Sequence, residues 1–311
     1  MSLSLTLLGT SASRPTIERN VASVALVREG ETMLFDCGEG TQRQMMRYGV
    51  AFSLGDIFFT HFHADHVIGV IGLMRTMALQ GRTDPLRLWG PKGADRHLKR
   101  AEQFGVDRLT FPVEINEVDA GTPIKRKDYA IRPFAVQHGP GPALGFALVE
   151  DDRKGRFDPD RARELGIPEG PMWGRIHKGE SVTLPNGDVV KPSELVGPPR
   201  PGRKVVITGD TSPCDATVEA ARDADLLVHE ATFGDEEAER AGETGHSTAR
   251  EAAIIARRAN CRRLVLTHFS ARYSRDTMEL EAQAKAEFAG VTIGKDGMEL
   301  EVPYVQPGAR S

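Results

Sequence analysis

The segment FTHFHADHVIG, residues 59–69, constrains the fold more than any other part of the sequence. It places three of the nine histidines and an aspartate within six residues, at the end of an apolar run. In an extended segment the rings of His61 and His63 point the same way, and Asp65 and His66 follow where a helix is predicted to begin. Imidazole and carboxylate together suit zinc, and manganese or iron less well. Four such groups cannot comfortably surround one tetrahedral ion, so the motif predicts a pair of ions with further ligands from elsewhere.

Apolar runs that end in a histidine or an aspartate recur along the chain, at His61, Asp210, His229 and His268. Apolar content and glycine punctuation predict strands at SLTLLG, VASVALVREG, ETMLFDCG, GDIFFTH, PLRLWGP, KVVITGD, DLLVHEATF and CRRLVLTHFS. Helices are predicted at VIGVIGLMRTMALQ, GADRHLKRAEQFG, TVEAARDA and STAREAAIIARRAN. Strand ends present their side chains to a shared edge of a sheet, so this recurrence predicts one site assembled from both halves of the chain.

Composition bounds the class of protein. The 311 residues suffice for one large domain or two medium ones, and 40% hydrophobic with 27% charged residues is typical of a soluble globular protein. The net charge of −4 excludes a general electrostatic grip on nucleic acid but leaves a local one open. Three cysteines, far apart in sequence, indicate a reducing compartment and a packing role. The start MSLSLTLLGT is too short for a signal peptide or membrane anchor, so we expect a cytoplasmic protein.

Residues 151–203 differ from the rest of the chain. They hold eight of the 19 prolines and eight glycines, with little periodicity beyond ESVTL and GDVVK. This composition predicts an insertion that stands apart from the core. A disordered linker and an ordered functional arm are both open, and Met172, Trp173 and Ile176 favour the ordered arm because large apolar side chains are costly to expose in a tether.

The motif HFHADH resembles the signature of the metallo-β-lactamase superfamily. Further segments resemble the ribonuclease Z family, the tRNA 3′-processing endonucleases, in order and over nearly the whole chain: LLGTSASRPTIERNVAS, LFDCGEGTQRQ, VQHGPGPALGF, VITGDT, VHEATF, GHSTAREA and LTHFSARY. The insertion EGPMWGRIHKGESVTL is similar to the arm by which the short form of this family in bacteria and archaea holds tRNA.

The resemblance implies an α/β fold, the four-layer αβ/βα sandwich of the superfamily. It implies a single domain over residues 1–311, with a flexible, projecting tRNA-binding arm inserted at about 151–203. The implied reaction removes the 3′ trailer from precursor tRNA by hydrolysis of the phosphodiester after the discriminator, leaving a 3′-hydroxyl on the tRNA. The family also implies two zinc ions per subunit and a homodimer, in which one subunit's arm reaches tRNA held at the other's site.

The family's metal ligands carry over to seven positions of this chain. The resemblance assigns His61, His63 and His138 to one zinc, Asp65, His66 and His268 to the other, and Asp210 as the bridge between them. The strand-end pattern agrees with these residue types but does not divide them between two ions. Two ions about 3.5–4 Å apart can activate a shared water and stabilise in-line attack on phosphorus.

The resemblance also assigns catalytic roles. Asp65 is implied to be the general base that orients or deprotonates the attacking water. His246 of GHST is implied to protonate the leaving oxygen, and Glu230 of VHEATF to orient that ring or support its charge. We expect the neighbouring His229 to be a strand histidine with local hydrogen bonds.

Three other polar residues receive weaker interpretations. His97 and His177 lie in polar surroundings and match no ligand position. Asp36 of LFDCGEG has two open interpretations: it holds a ligand imidazole by its free N–H, or it caps a turn at the end of a strand.

Two departures from the family bear on tRNA. The family's loop P-x-K-x-R-N reads PTIERN here, so Ile17 replaces the lysine while Arg19 and Asn20 remain as expected tRNA contacts. Because that loop helps to exclude CCA ends in relatives that stop at the discriminator, the cleavage position is open. The insertion has ten Lys/Arg against nine Asp/Glu, and its central piece GPMWGRIHKG offers only Arg175 and Lys178 as cations without an acid.

Two alternatives to the nuclease are considered. The metal motif alone also supports a thioesterase or lactonase of the same superfamily, but a small acyl substrate needs no clamp. A tRNA-binding module without metals would not need all seven ligand positions filled.

Overall fold

The computed structural model describes residues 2–106 and 108–305. Within them the chain divides into two compact units. The first, called here the core unit, comprises the part up to residue 149 together with residues 203–303; the second, the inserted unit, comprises residues 150–202 with 304–305. The roles of the inserted unit as a flexible arm and as a tRNA clamp stay predictions.

The strands are numbered in chain order. They are β1 (Leu3–Gly9), β2 (Ser23–Arg28), β3 (Glu31–Phe35), β4 (Asp56–Phe58), β5 (Leu86–Gly90), β6 (Val113–Glu117), β7 (Ile124–Lys125), β8 (Tyr129–Ala135), β9 (Leu144–Glu150), β10 (Val182–Thr183), β11 (Val189–Val190), β12 (Lys204–Ile207), β13 (Leu226–Glu230), β14 (Leu264–Thr267), β15 (Val291–Ile293) and β16 (Glu299–Glu301).

The helices are numbered in the same way. They are α1 (Thr41–Arg47), α2 (Ala64–Val67), α3 (Gly69–Leu79), α4 (Ala94–Glu102), α5 (Pro159–Glu164), α6 (Pro171–His177), α7 (Asp215–Ala221), α8 (Ala238–Thr244), α9 (Ala249–Arg258) and α10 (Met278–Lys285), with 3₁₀ turns at Pro192–Glu194, Asp235–Glu237 and Ala271–Tyr273.

The core unit contains two seven-stranded sheets. Their orders are β16-β1-β2-β3-β4-β5-β6 and β15-β14-β13-β12-β9-β8-β7. In the first sheet β3, β4, β5 and β6 run parallel, and in the second β12, β13, β14 and β15 do. Each sheet therefore has a parallel half whose strands end at one edge, where ligands bind in open α/β sheets.

Alternation along the strands builds four layers. In β13, Leu226 and Val228 join an apolar cluster shared by the two sheets, whereas Leu227 joins a cluster beneath α7, α9 and α10. On the first sheet, Ile57 faces a third cluster beneath α1, α3 and α4, and its neighbour Phe58 faces the other sheet. Each fully buried side chain of this size contributes about 1.5–3 kcal/mol. The helix–sheet–sheet–helix arrangement confirms the expected αβ/βα sandwich.

The predicted helices and strands of the core unit are confirmed. The segment STAREAAIIARRAN forms α9, which buries Ala252 and Ile255 on one face. Thr248 caps its first turn, since its hydroxyl accepts the Glu251 amide hydrogen while the Glu251 carboxylate accepts the Thr248 amide hydrogen.

The inserted unit has its own small apolar core. Its fully buried members include Ala162, Ile176 and Leu195, with Trp173 packed against them. The strands β10 and β11 pair as an antiparallel hairpin, in agreement with ESVTL and GDVVK. The expectation of little helix was wrong for α5 and α6. Each begins with a proline in its first turn and spans two turns at most, too short for periodicity to reveal.

The three cysteines are free thiols, and Cys37 and Cys261 are buried. Burial raises the pKa of the Cys37 thiol to about 12, so it stays protonated and inert at neutral pH, as the packing interpretation predicts. Among the described residues, no helix is both long and apolar enough to span a bilayer.

Candidate metal centre

Polar side chains from both sheets meet at the carboxyl ends of the parallel strands. His61 lies three residues after β4, and Asp210 three residues after β12. Glu230 is the last residue of β13, and His268 directly follows β14. The register pairs Glu230 with Thr267, so these two strands end side by side. The strand-end residues from both halves of the chain therefore lie together, as the sequence predicts, and their function as one site stays a prediction.

Two of these strand ends turn sharply. Asp36, after β3, and His268, after β14, both have φ of 58°. Non-glycine residues rarely adopt this left-handed conformation, which costs about 1–2 kcal/mol per residue. Here it turns the backbone out of the sheet at the two places where a buried polar side chain is needed.

Three histidines and one carboxylate oxygen form the first group. His61 Nε2 lies 2.9 Å from His63 Nδ1, and His138 Nε2 lies 3.1 Å from the same His63 atom. The Oδ2 atom of Asp210 is 3.7 Å from His61 Nε2 and 3.8 Å from His138 Nε2. These ligand atoms all lie within 4.8 Å of one another.

A second group forms on the other side of Asp210. The Oδ1 atom of Asp210 is 3.4 Å from His66 Nε2 and 3.3 Å from His268 Nε2. Asp65 Oδ2 completes the group at 3.5 Å from His268 Nε2. The two oxygens of one carboxylate thus face two different sets of ligand atoms.

The chemistry of both groups fits metal ions. Asp210 Oδ1 is buried and has no hydrogen-bond partner among the described residues. An orphaned buried carboxylate oxygen is costly unless a cation accompanies it. Ring nitrogens also converge, as in the His66–His268 approach of 3.3 Å between Nε2 atoms. Imidazole and carboxylate are the donors that divalent transition ions prefer, so this cluster can hold metal.

Electrostatics favours the ligand form of His61, Asp65 and Asp210. Burial, with positive neighbours, lowers the pKa of His61 to about 2, which leaves its ring neutral at pH 7. Burial raises the pKa of Asp65 and Asp210, but nearby histidines outweigh it and hold both pKa values below the ordinary range. Neutral imidazoles and ionised carboxylates are the forms that bind metal. His66 is the exception: burial lowers its pKa, but the Asp210 and Asp36 carboxylates outweigh burial and hold that pKa well above its ordinary value, so this ring must lose a proton to bind metal.

Asp36 supports the second group. The Nδ1 atom of His66 donates to Asp36 Oδ2 at 2.7 Å, which directs His66 Nε2 towards Asp210. The other oxygen accepts from the Thr60 amide at 2.8 Å, and the Thr60 hydroxyl also donates to this carboxylate. Asp36 therefore orients a ligand ring, the first of its two interpretations, and its bonds to Thr60 tie it to the end of the neighbouring strand β4.

Glu230 links two histidines. His246 Nδ1 donates to Glu230 Oε1 at 2.7 Å. The Thr232 hydroxyl donates to Glu230 Oε2 at 2.7 Å, so it must accept from His268 Nδ1, 2.9 Å away. A hydroxyl has only one hydrogen to donate, so His268 Nδ1 must be the donor of the second bond and carry the ring proton. The lone pair of His268 is then on Nε2, which faces Asp210. One buried carboxylate thus sets the orientation of both rings.

The charge on His246 follows from the same contact. Burial lowers the pKa of this imidazole, but the Glu230 carboxylate outweighs burial and raises the pKa to about 9. The ring is therefore protonated at neutral pH, and His246 also stacks beside His268, with ring centroids 5.5 Å apart. His246 is therefore a positively charged hydrogen-bond donor next to the two groups of candidate metal ligands.

The remaining histidines lie outside the two groups. His229 is buried, and its Nδ1 donates to the Glu230 carbonyl, whereas its Nε2 has no partner among the described residues. The expected local hydrogen bonds of His229 are therefore present at Nδ1 but, within the described part of the chain, not at Nε2. His177 contacts the Gly155 carbonyl within the inserted unit, and His97 stacks on Phe62.

The N-terminal loop is held by internal contacts. The Arg19 guanidinium donates to the Thr10 hydroxyl and the Gly294 carbonyl, and it lies over the Phe269 ring. The Asn20 side chain donates to the Glu39 carbonyl at 2.8 Å. Both side chains expected to contact tRNA thus have tasks within the fold. Ile17 is 93% exposed.

The two cations expected in the insertion are both exposed, but only one is unpaired. Arg175 Nε donates to Glu180 Oε2 at 2.8 Å, a partner beyond the acid-free piece seen in the sequence. Lys178 forms no ion pair among the described residues.

Sequence reasoning missed two supporting residues. The sequence did not point to Thr232, because a single threonine two residues after Glu230 forms no recognisable pattern. Asp296 lies in a distant GKDG turn, and its Oδ2 accepts from the Asn20 amide at 2.6 Å. Only the threonine's place inside the motif VHEATF could have drawn attention to it.

Comparison with known proteins shows the family of the chain. A family model described as the β-lactamase superfamily domain matches residues 31–199 and 195–269. The chain is 62% identical over 307 residues to a ribonuclease Z of Gemmatimonas aurantiaca, with 98% of each chain covered. It is 54% identical over 302 residues to a ribonuclease Z of Myxococcus xanthus, covering 97% of this chain and 98% of that one. The solved structure of human tRNase Z, short form, has a TM-score of 0.70 and 29% identity, covering 96% of this chain and 99% of that one. The chain belongs to the ribonuclease Z family of the β-lactamase superfamily.

Proposed function

We propose that this chain is a zinc-dependent endoribonuclease that removes the 3′ trailer from precursor tRNA. It hydrolyses the phosphodiester after the discriminator and leaves a 3′-hydroxyl on the tRNA. The observation that carries the proposal is the convergence of six further ligand side chains around the two oxygens of Asp210, in a chain that matches ribonuclease Z over 98% of its length. A thioesterase or lactonase is not favoured.

The donor set supports two zinc ions per subunit. His61, His63 and His138 would hold one ion and the trio on the other side of Asp210 the second, with Asp210 shared by both. When bound, such a pair supplies an activated water and positive charge for attack on phosphorus.

Asp65 is proposed as the general base as well as a ligand. Its Oδ2 accepts from the Ser13 amide at 2.7 Å, which fixes the carboxylate at the mouth of the cluster. The lowered pKa keeps Asp65 ionised, so it can orient the attacking water or accept its proton.

His246 is proposed as the proton donor to the leaving 3′-oxygen of the tRNA. Its Nδ1 is engaged by Glu230, so Nε2 is the atom available to a substrate. One side-chain N or O atom from each of His246, Asp210 and His268 lies within 4.8 Å of the others, so His246 is next to the proposed metal ligands. If its protonated ring donates in the transition state, Glu230 stabilises the donor before transfer and holds its orientation throughout.

The inserted unit is proposed as a flexible arm that grips tRNA. Its small apolar core makes it an ordered body, and exposed Lys178 is its unpaired central cation. Because phosphate contacts release counterions, raising the salt concentration should weaken tRNA binding. A flat salt response would contradict this role. Asn20 and Arg19 are proposed to act on tRNA through the shape of the loop that they hold.

A cytoplasmic homodimer is also proposed. Met46 and Ile68 are 58% and 48% exposed, so the surface near α1 and α3 has apolar area to bury. The segment LMRTMALQ contributes less apolar surface to a dimer interface than its composition suggests, because its Leu73, Met74 and Met77 are buried in the core. Sedimentation should give twice the chain mass, and Ile68→Glu should halve it; a wild-type monomer would contradict the dimer.

A gel assay tests the activity. Purified protein with zinc is incubated with two 3′-extended precursor tRNAs, one lacking an encoded CCA and one carrying it, with a chelator in parallel lanes. We expect a single cut after the discriminator of the CCA-less precursor, abolished by chelation. No cut in either precursor, from protein shown to hold two zinc ions, would overturn the proposal and favour a thioester or lactone substrate.

A further inference from the structure

A pocket of about 260 Å³ opens beside the first group of ligands. His61, His63 and His138 form one part of its lining, so whatever occupies the pocket touches the metal centre directly. Asp65 and His246, the proposed base and acid, do not line it. The pocket thus adjoins the proposed zinc ligands, while the proposed base and acid lie outside its lining.

Two stacked rings form another part of the lining. The rings of Phe62 and His97 have centroids 4.9 Å apart and an interplanar angle of 12°. Phe62 also contacts fully buried Phe59, with ring centroids 6.1 Å apart. The backbone makes room for this arrangement, because a Cβ on Gly90 would lie 2.9 Å from Phe62 Cζ. A glycine at the end of β5 therefore allows the ring to sit where it does.

Two cations flank the stacked rings. Lys92 and Arg96 line the pocket and are exposed, and no acidic side chain lines it among the described residues. Arg96 Nη2 lies 2.9 Å from His97 Nε2, a contact that steadies the ring without neutralising the guanidinium. The backbone amides of Gly93 and Asp95, at the start of α4, already donate to Glu117. An anion in the pocket would therefore be bound by the Lys92 and Arg96 side chains and not by these backbone amides.

Flat rings, unneutralised cations and adjacency to the metal centre match a nucleotide. Nucleobases stack on aromatic side chains whatever their sequence, and Lys and Arg bind the phosphates between them. An acyl chain would use the rings but leave the cations without a counter-charge. The glycine–proline loop at residues 139–142 completes the lining with little side-chain bulk.

We propose that this pocket binds one nucleotide adjoining the scissile phosphodiester, with its base against the Phe62–His97 rings and a flanking phosphate at Lys92 and Arg96. This inference rests on the proposed function and adds a substrate subsite to it. His97 then serves binding, although sequence matching left it without a role.

The test is a double-mutant cycle between the protein and the precursor tRNA. The protein variants are His97→Ala, His97→Phe, which keeps a flat ring, and Phe104→Ala, an exposed aromatic outside the pocket. The substrates are the normal precursor and two abasic versions, one lacking the discriminator base and one lacking the first trailer base.

His97→Ala should lower kcat/KM on the normal precursor about tenfold, the effect of losing one stacked base. His97→Phe and Phe104→Ala should stay within about twofold of wild type by the same arithmetic. On one of the two abasic precursors the His97→Ala penalty should vanish, which also identifies the side of the scissile bond. Zinc content and melting temperature should be unchanged.

A full His97→Ala penalty on both abasic precursors, or a loss of zinc, would overturn the subsite. In the same experiment, failure of wild type to cut the normal precursor would instead overturn the proposed function.

A parallel experiment tests the cations. Lys92→Ala combined with Arg96→Ala should raise KM and flatten the salt dependence of binding by about one unit of logarithmic slope per lost phosphate contact. Arg100→Ala is the matched control, since Arg100 is on the same helix but does not line the pocket. Equal changes in slope for both proteins would contradict a local phosphate site.

Discussion

The core unit and the inserted unit use charged side chains in opposite ways. In the core unit His66, Asp210 and Glu230 are buried and contact one another or their supports. In the inserted unit most charged side chains are exposed, in local pairs such as Arg163–Asp160, and Glu150 at its start is a buried exception. Buried ionised groups persist only where hydrogen bonds or metal ions compensate them, whereas exposed pairs contribute about 0–1 kcal/mol each. Loss of a charge should therefore disable chemistry in the core unit and at most weaken binding in the inserted unit.

The largest expected effect is on an aspartate. Asp65→Ala should lower single-turnover cleavage by about three to four orders of magnitude, the upper range for general acid–base catalysis, and should also reduce zinc content. Asp65→Asn, which keeps a ligand oxygen, should separate the two losses. Asp160→Ala, at an exposed acid of the inserted unit, is the matched control and should stay near wild type. An Asp65→Asn enzyme with near-normal turnover would contradict the base assignment.

A histidine comparison comes next. His246→Ala should slow cleavage by about two to three orders of magnitude while zinc stays near two per chain, because in the proposed mechanism His246 donates a proton and holds no metal. His177→Ala, in the inserted unit, should leave turnover unchanged. Zinc is counted by atomic spectrometry on the same samples. If His246→Ala empties the site, its role as proton donor is wrong.

Thr232 separates orientation from coordination. Thr232→Val should weaken zinc binding about 10–100-fold, because His268 loses the hydroxyl that holds its Nδ1 proton. Thr232→Ser keeps the hydroxyl and should bind zinc nearly as wild type does. Competition with a chromophoric chelator measures both. Equal losses would mean that the methyl group matters and the hydrogen bond does not.

The inserted unit should affect binding alone. Replacing residues 171–179 by a short glycine–serine linker should raise KM for precursor tRNA by at least about tenfold, or about 1.4 kcal/mol, while kcat on bis(p-nitrophenyl) phosphate is spared. Lys178→Ala should reproduce a smaller part of that change. Equal losses on both substrates would assign the inserted unit a structural role.

The smallest effect concerns Ile17. Ile17→Lys should increase discrimination against CCA-bearing precursors by about fivefold, the value of one added phosphate contact of about 1 kcal/mol. Ile17→Gln, of similar length but uncharged, is the matched control. Since the side chain is 93% exposed, the free energy of unfolding should change by less than about 0.5 kcal/mol. An unchanged cleavage ratio would show that the loop excludes CCA by shape alone.

Local sequence patterns predicted eight strands and four helices of the core unit, together with the residue types at its strand ends, but not β6 to β9, β15, β16, α1, α8 or α10. Alternation, glycine punctuation and helical periodicity are local, so they survive without knowledge of the fold. The short helices of the inserted unit escaped because two turns do not establish a period.

The grouping of these residues is visible only in three dimensions. His138 Nδ1 contacts the Gly245 carbonyl, 107 residues away, and Asp210 presents one oxygen to each ligand group. Other contacts likewise join segments that the sequence does not connect. They include the hydrogen bonds of Arg19, the Thr232–His268 bond and the stacked rings of Phe62 and His97. They depend on the register of two sheets and on which loops pack together, and no local pattern records those distances.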